Sequence, residues 1–268
     1  MDAYQHLRIE QRGGVAWVTL DRPEQLNALN SRLIAELNDF FGGLNARSEA
    51  RVVVLRGAGR AFCAGLDLKE AQARGARKGV VDRLETQKNV RDVMLHMRRC
   101  PQPVISIVQG AASGGGFALA LASDIRLLTP DARMNAAFIR LGLSSCDVGV
   151  SYFLPRMVGA SVAAEYMLTG RFLDAQRAHA LGLASRVAEL PALEEEAAAL
   201  AADMLGATPL GLRLSKEALA LAIDAPSLEA AIALEDRNQV LCTQGEDFAE
   251  GVNAFLEKRA PRYGAARS

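Results

Sequence analysis

Two short loops in this chain are composed to present bare backbone. Ala61-Phe62-Cys63-Ala64-Gly65-Leu66-Asp67 and Gly114-Gly115-Gly116 are both built of small residues, and each stands where a helix is about to open. Glycine carries no Cβ, so the main chain of the second loop can approach a ligand closely. The helix that follows adds its positive dipole end and its unpaired N–H groups. Two amides aimed in advance at one carbonyl oxygen stabilise an enolate or a tetrahedral oxyanion. A triple glycine alone is more often a flexible turn. The two loops together point to carbonyl polarisation.

The other chemically able side chains are less well supplied with partners. His96 lies in the apolar helical run Val93-Met94-Leu95-His96-Met97 and reads as a core or interface histidine. His6 and His179 have no companion acid at useful spacing, and Asp67 reads as a helix N-cap rather than a base. Cys63 and Cys146 flank the expected pocket without a neighbouring histidine to activate either thiol. Ser144, Ser145 and Ser151 suit hydrogen bonding to a substrate or a water, but none has the base that a nucleophilic serine requires. Asp124 ends the glycine-rich helix and Asp131 follows Thr129-Pro130 in a turn, so both have local explanations.

The elements that must position the loops follow from periodicity. Residues 6–10 and 14–20 alternate about Gly13-Gly14 as a hairpin. Asn30 or Ser31 caps a helix with apolar positions Leu33, Ile34, Leu37, Phe40, Phe41 and Leu44. A β-branched strand covers 51–56, and residues 72–82, rich in Gly, Ala, Arg and Lys, read as mobile. A helix over 83–99, a strand over 104–108, the triple-glycine loop and a strand over 125–128 follow. Alternation of strands and helices to about residue 190 predicts an α/β architecture, with Ala- and Leu-rich helices from about 192 to 258.

Bulk properties narrow the classes. The chain has 268 residues, 50% of them apolar, enough for a large core and incompatible with disorder. Thirty-one basic residues balance 31 acidic ones, and no basic stripe with aromatics argues for nucleic acid. Four cysteines without CxxC spacing fit reduced thiols in a cytoplasmic protein and no metal. No secretion leader is visible. Gln109 and the glycines interrupt the apolar stretch 103–122, which reads as buried strand, loop and helix, so no membrane association is expected.

The order of several motifs resembles the crotonase superfamily, the enoyl-CoA hydratase/isomerase family. They are Arg22-Pro23-Glu24-Gln25-Leu26-Asn27-Ala28-Leu29, the 61–67 loop, and Pro103-Val104-Ile105-Ser106-Ile107-Val108-Gln109-Gly110 leading into the triple glycine. Leu154-Pro155-Arg156, Leu168-Thr169-Gly170-Arg171, Ala180-Leu181-Gly182-Leu183 and the run from Glu250 to Arg259 continue the match nearly end to end. The resemblance implies a spiral of ββα units over residues 1–191 and a helical region over 192–268 that forms trimers, often paired as hexamers. It implies a coenzyme A thioester, with no separate cofactor, whose carbonyl meets the N–H groups of Leu66 and Gly115. It also implies coenzyme contacts from Arg22, Ala28, Ala64, Phe255 and Lys258. For Arg22, Lys258 and Arg259 the alternative is a solvated charge.

Fold does not settle reaction, and here the resemblance breaks at the residues that matter. The family's hydratases use two glutamates, one two residues past the triple glycine and one after the next strand. This sequence has Ala118 and Phe138 at those places, and neither side chain exchanges a proton. A carboxylate remains at Asp147, in Gly142-Leu143-Ser144-Ser145-Cys146-Asp147-Val148-Gly149. That segment is similar to those of dienoyl-CoA isomerases and dihydroxynaphthoyl-CoA synthases, where an aspartate near this point faces the acyl group. Burial beside Phe117 and Phe138 would raise its pKa; the alternative is a cap on a helix beginning near Val148. The expected activity is acyl-CoA processing through an oxyanion with Asp147 as sole acid/base, most simply double-bond isomerisation. Hydration by generic family assignment, hydrolysis, decarboxylation and non-catalytic acyl-CoA binding are the alternatives.

Overall fold

A computed structural model describes residues 4–44, 49–75 and 79–263. The chain opens with the expected hairpin, β1 (Leu7–Arg12) and β2 (Val15–Leu20), paired antiparallel from Leu7 opposite Leu20 to Arg12 opposite Val15. Gly13 and Gly14 turn it at φ 55° and 86°, backbone that glycine adopts without strain. Strands β3 (Val52–Gly57), β4 (Val104–Val108), β6 (Ile125–Leu128) and β9 (Arg186–Val187) extend the sheet in the order β1-β2-β3-β4-β6-β9, parallel from β2 onward. A smaller sheet runs β5 (Ala111–Ser113), β7 (Arg133–Asn135), β8 (Leu173–Asp174). Successive strand–strand–helix units wind this pair of sheets into the spiral that the family resemblance implies, followed by a helical C-terminal stretch.

The near-continuous apolar strands are covered on both faces, as parallel sheets require. Alternate residues of β3 and β4 divide between two cores. Val53, Leu55, Val104 and Val108 face the larger one, with α1 (Ser31–Gly43), α3 (Val80–Arg99) and α4 (Gly115–Ala122). Val52, Val54, Ile105 and Ile107 face the other, closed by Leu193, Ala197 and Ala201 of α8 (Leu190–Leu205). Helix α8, placed by its sequence with the C-terminal helices, thus packs on the sheet. The helices α9 (Pro209–Ala222), α10 (Leu228–Thr243) and α11 (Glu246–Leu256) complete the chain.

One sequence expectation changes, and two cap assignments left open are decided. The stretch read as mobile over 72–82 is largely helical: α2 spans Leu68–Gly75 and α3 begins at Val80, while 76–78 lie outside the described residues. Asn30, not Ser31, caps α1, its side chain accepting from the Leu33 amide at 2.9 Å. Asp147 does not cap a helix with its side chain. Helix α5 (Val150–Val158) starts three residues later, from Gly149 at φ 91° and without a side-chain cap.

Candidate functional site

The segment 22–29 forms one wall of the site. Arg22 leads into a single 3-10 turn at Pro23–Gln25, after which Leu26 and Asn27 both take left-handed backbone, φ 50° and 55°. This reversal lays 26–29 beside the 61–67 loop. The Ala64 amide donates to the Leu26 carbonyl (2.9 Å), the Leu29 amide to Gly65 (2.7 Å), and the Asp67 amide back to Leu29 (3.0 Å). On its other side the loop is stitched to β5: Cys63 N–H donates to the Ala111 carbonyl and Ser113 N–H to the Cys63 carbonyl, both at 3.0 Å.

These two seams bring Gly65, the residue before Leu66, against Gly115. A Cβ added at Gly65 (φ 91°) would fall 2.6 Å from the Ser113 carbonyl oxygen and 3.5 Å from the Gly115 nitrogen, so the two loops are in backbone contact. Gly116 is packed still more closely, since its Cβ would lie 2.0 Å from the Cys63 carbonyl oxygen. Glycine is demanded here by proximity, not by flexibility. Gly115 opens α4, and Gly114 before it has φ 53° and ψ −115°. Among the described residues, neither the Leu66 nor the Gly115 amide donates to a protein acceptor. Leu66 is 44% exposed, while Gly115 is buried. Gly115, opening α4, sits at the positive end of that helix.

Arg22 is not a solvated charge. Its guanidinium donates to the Ala28 carbonyl and pairs with Asp67 at 3.0 Å, the two side chains being 11% and 13% exposed. Asp67 does cap α2, accepting from the Glu70 amide at 3.2 Å. Burial works against its charge, but Arg22 and the Glu70 and Lys69 amides hold the carboxyl below the usual range. Ala28 and Ala64 flank the same seam. Phe255, 83% exposed on α11, and Lys258 just beyond it share no hydrogen bond with the loop pair among the described residues. Arg259 is committed to Glu250 and Glu257.

Asp147 is half-buried between α3 and α5. Its Oδ1 accepts from the Val148 amide at 2.8 Å and from the Gln87 side-chain amide of α3. Burial raises its pKa against the pull of those two bonds. Val148 follows at φ 40°, a costly backbone for a β-branched residue. Ala118 and Phe117 are fully buried, and Phe138 stands over Gly114, whose Cβ would meet its ring at 3.4 Å. Beyond Val148 and Gly149 a cavity of ≈ 720 Å³ opens between α3, α5 and α9, walled by Met94, Phe153, Met157 and Leu219.

The remaining candidates have structural occupations. Burial pushes the Cys63 thiol up to about 12, so it is inert, and Cys146 is exposed. Ser145 donates to the Met167 carbonyl at 2.6 Å, and Ser144 accepts from the Cys146 amide. His96 meets Asn38 Oδ1 at 3.1 Å, and His179 the Ala184 carbonyl at 2.9 Å. Asp124 has more than a local role. It pairs with Arg98 (2.6 Å) and with buried Lys216 of α9 (3.0 Å), and accepts from the Val104 amide (2.8 Å). Periodicity carries no signal for that cluster, nor for Gln87 beside Asp147. No group of three metal-binding side chains occurs among the described residues.

Residues 10–266 match the family model described as enoyl-CoA hydratase/isomerase. A probable enoyl-CoA hydratase of Mycobacterium tuberculosis is 39% identical over 261 residues, covering 93% of this chain and 89% of that protein. The 1,2-epoxyphenylacetyl-CoA isomerase of Escherichia coli is 34% identical over 250 residues, 93% and 95% of the two chains. A solved enoyl-CoA hydratase from Bacillus anthracis superposes with a TM-score of 0.90 at 33% identity, covering 97% of this chain and 99% of that one. A match over nearly the whole length leaves one assignment: the chain belongs to the enoyl-CoA hydratase/isomerase family.

Proposed function

We propose that this protein processes acyl-CoA thioesters by stabilising an enolate, and that its reaction is a double-bond isomerisation with Asp147 as the sole proton carrier. The observation that carries the reading is the paired, unpartnered amides of Leu66 and Gly115. Both would donate to the thioester oxygen as negative charge develops there. The Asp147 carboxylate would take a proton from the carbon next to the carbonyl. The C–H electrons become a C=C bond to the carbonyl carbon as the carbonyl electrons move onto oxygen, and the existing double bond stays in place, conjugated with it, until the far carbon is protonated and the double bond shifts by one position. Collapse of this extended enolate draws the same proton from Asp147 onto the far carbon. One carboxyl is enough for this cycle, and burial tunes it toward proton acceptance.

Hydration is the weaker reading, because Ala118 and Phe138 stand at the positions where the family's hydratases carry glutamates. Among the relatives is a protein named as an isomerase. Ala28 and Ala64 would contact the coenzyme through backbone, and the Arg22 brace would shape its seat. Phe255 and Lys258 would reach coenzyme held by a neighbouring subunit of a trimer or dimer of trimers, assembled through residues 192–268. Cytoplasmic action goes with this reading. Among the described residues no helix is long and apolar enough to cross a membrane.

A panel of 2-enoyl, 3-enoyl and 2,4-dienoyl thioesters, followed by proton NMR in deuterium oxide, tests the assignment. Movement of a double bond supports isomerisation, and retention of the substrate's own hydrogen at the far carbon, with little deuterium entering, supports Asp147 as the single proton carrier. Ordinary hydratase turnover on crotonyl-CoA defeats it. Cleavage of the thioester would reassign Asp147 to a bound water, and binding without any turnover would make the protein an acyl-CoA binder.

A further inference from the structure

The oxyanion loop is not held only by its main-chain seams. The turn over residues 57–61, which feeds it from β3, turns several carbonyl groups inward, and two side-chain amides from outside the loop grip them. Asn27, fully buried, donates to the Ala58 carbonyl at 2.9 Å and to the Ala61 carbonyl at 2.8 Å, while its Oδ1 accepts from the Arg22 amide at 2.9 Å. Gln109, 5% exposed, donates to the Gly57 carbonyl at 2.6 Å and the Gly59 carbonyl at 3.3 Å. Each lies beside a main-chain bond to the same loop: the Leu26 carbonyl takes the Ala64 amide, and the Gln109 carbonyl takes the Phe62 amide at 2.7 Å. The space between them is closed, since a Cβ at Gly57 would fall 2.4 Å from the Ala61 oxygen and 2.7 Å from Asn27 Nδ2.

From this we infer that Asn27 and Gln109 are positioning residues for the carbonyl-polarising amide of Leu66. Neither reaches a substrate. Together they clamp the four carbonyls of the 57–61 turn, so that the following loop leaves the clamp in one direction and Leu66 N–H is aimed before a thioester arrives. Pre-aimed donors are worth most because no reorganisation is needed as charge develops. Asn is suited to the position because it tolerates left-handed backbone, here φ 55°, and also carries a donor pair and an acceptor. The inference rests on the oxyanion reading proposed above.

The test uses hexanoyl-CoA carrying a carbon-13 carbonyl, a saturated thioester that cannot isomerise, bound to the full-length protein and read by isotope-edited infrared spectroscopy. Hexyl-CoA, the thioether lacking the carbonyl oxygen, serves as the affinity control. In the unaltered protein the carbonyl band should move to lower frequency than in solution. The thioester should also bind roughly tenfold more tightly than the thioether, the scale of a net hydrogen bond or two. Asn27→Gly keeps the backbone angle and removes the grip. Its band should return toward the solution position and broaden, with thioether affinity unchanged. Gln109→Ala should act in the same direction, and it carries the test if Asn27→Gly fails to fold. A band held at the wild-type position in either folded variant overturns the inference while leaving the oxyanion reading intact. Absence of any shift in the unaltered protein removes the oxyanion reading, and this inference with it.

Discussion

At the scale of single residues, Asp147 allows catalysis and structure to be separated by one substitution. Asn keeps an oxygen for the Val148 amide and for Gln87 and removes only the base. Asp147→Asn should therefore lower turnover on the true substrate by roughly 10²–10⁴-fold with little change in Tm. The pH profile should agree. Because burial raises this carboxyl, the active base should be lost as pH falls at a higher pH than an ordinary aspartate would give. The stability effect has the opposite sense to that of a salt-bridged carboxylate. Between the unfolded pKa and the raised folded one, the native state holds the extra proton, so this contribution to stability declines as pH rises through that window. In Asp147→Asn that decline should vanish from urea titrations. Asp67, held low by Arg22, contributes stability above its unfolded pKa and loses it as pH falls through the lowered folded value. Thiol reactivity offers a further check. Disulfide-exchange reagents should modify exposed Cys146 quickly and spare Cys63 until the protein unfolds.

At the scale of elements, two packing joints dominate. Helix α4 can lie against the 61–67 loop only because Gly116 has no side chain. Gly116→Ala would press a methyl onto the Cys63 main chain, and backbone cannot swing aside. The loss should be about 1–3 kcal/mol or more, measured as a lower urea midpoint, and it should weaken thioester binding at the same time. The second joint fastens α9 to the spiral. Buried Lys216 donates to the Met97 carbonyl (3.0 Å) and the Gln102 carbonyl (2.8 Å) and pairs with Asp124. Lys216→Ala leaves Asp124 with Arg98 and two carbonyls without their donor. It should cost about 1–3 kcal/mol, the range for leaving buried acceptors without a donor, and proteolysis should then begin in α9.

At the scale of the whole molecule, the C-terminal helices carry apolar surface that one chain does not cover. Leu219, Leu221, Leu228, Val240, Phe255 and Leu256 are between 54% and 83% exposed, nearer to open than closed in every case. The proposed assembly through residues 192–268 would cover these side chains, as exposed apolar surface favours association. Light scattering should give the mass of three or six chains, and Phe255→Glu should shift it toward smaller species. A monomer persisting at micromolar concentration would count against assembly through this region.

Local physics wrote much of this protein legibly into its sequence. The hairpin around Gly13-Gly14, the apolar period of α1, the buried run of β4 and the two small-residue loops all depend on neighbours a few positions away, and all stand where the pattern places them. Asp147 shows the limit. Proximity to a helix suggested a cap, but the helix starts at Val150 and its side chain turns instead to Gln87, 60 residues earlier. Asp124 looked like a helix end and is the anchor for Lys216 of α9. The clamp of Asn27 and Gln109 spans 31 to 52 residues of sequence, and the contact of Gly65 with Gly115 joins separate loops. Periodicity and capping rules encode the backbone's local preferences. Which buried donor meets which distant carbonyl is decided only when packing excludes water and every polar group must find a partner among the protein groups then within reach.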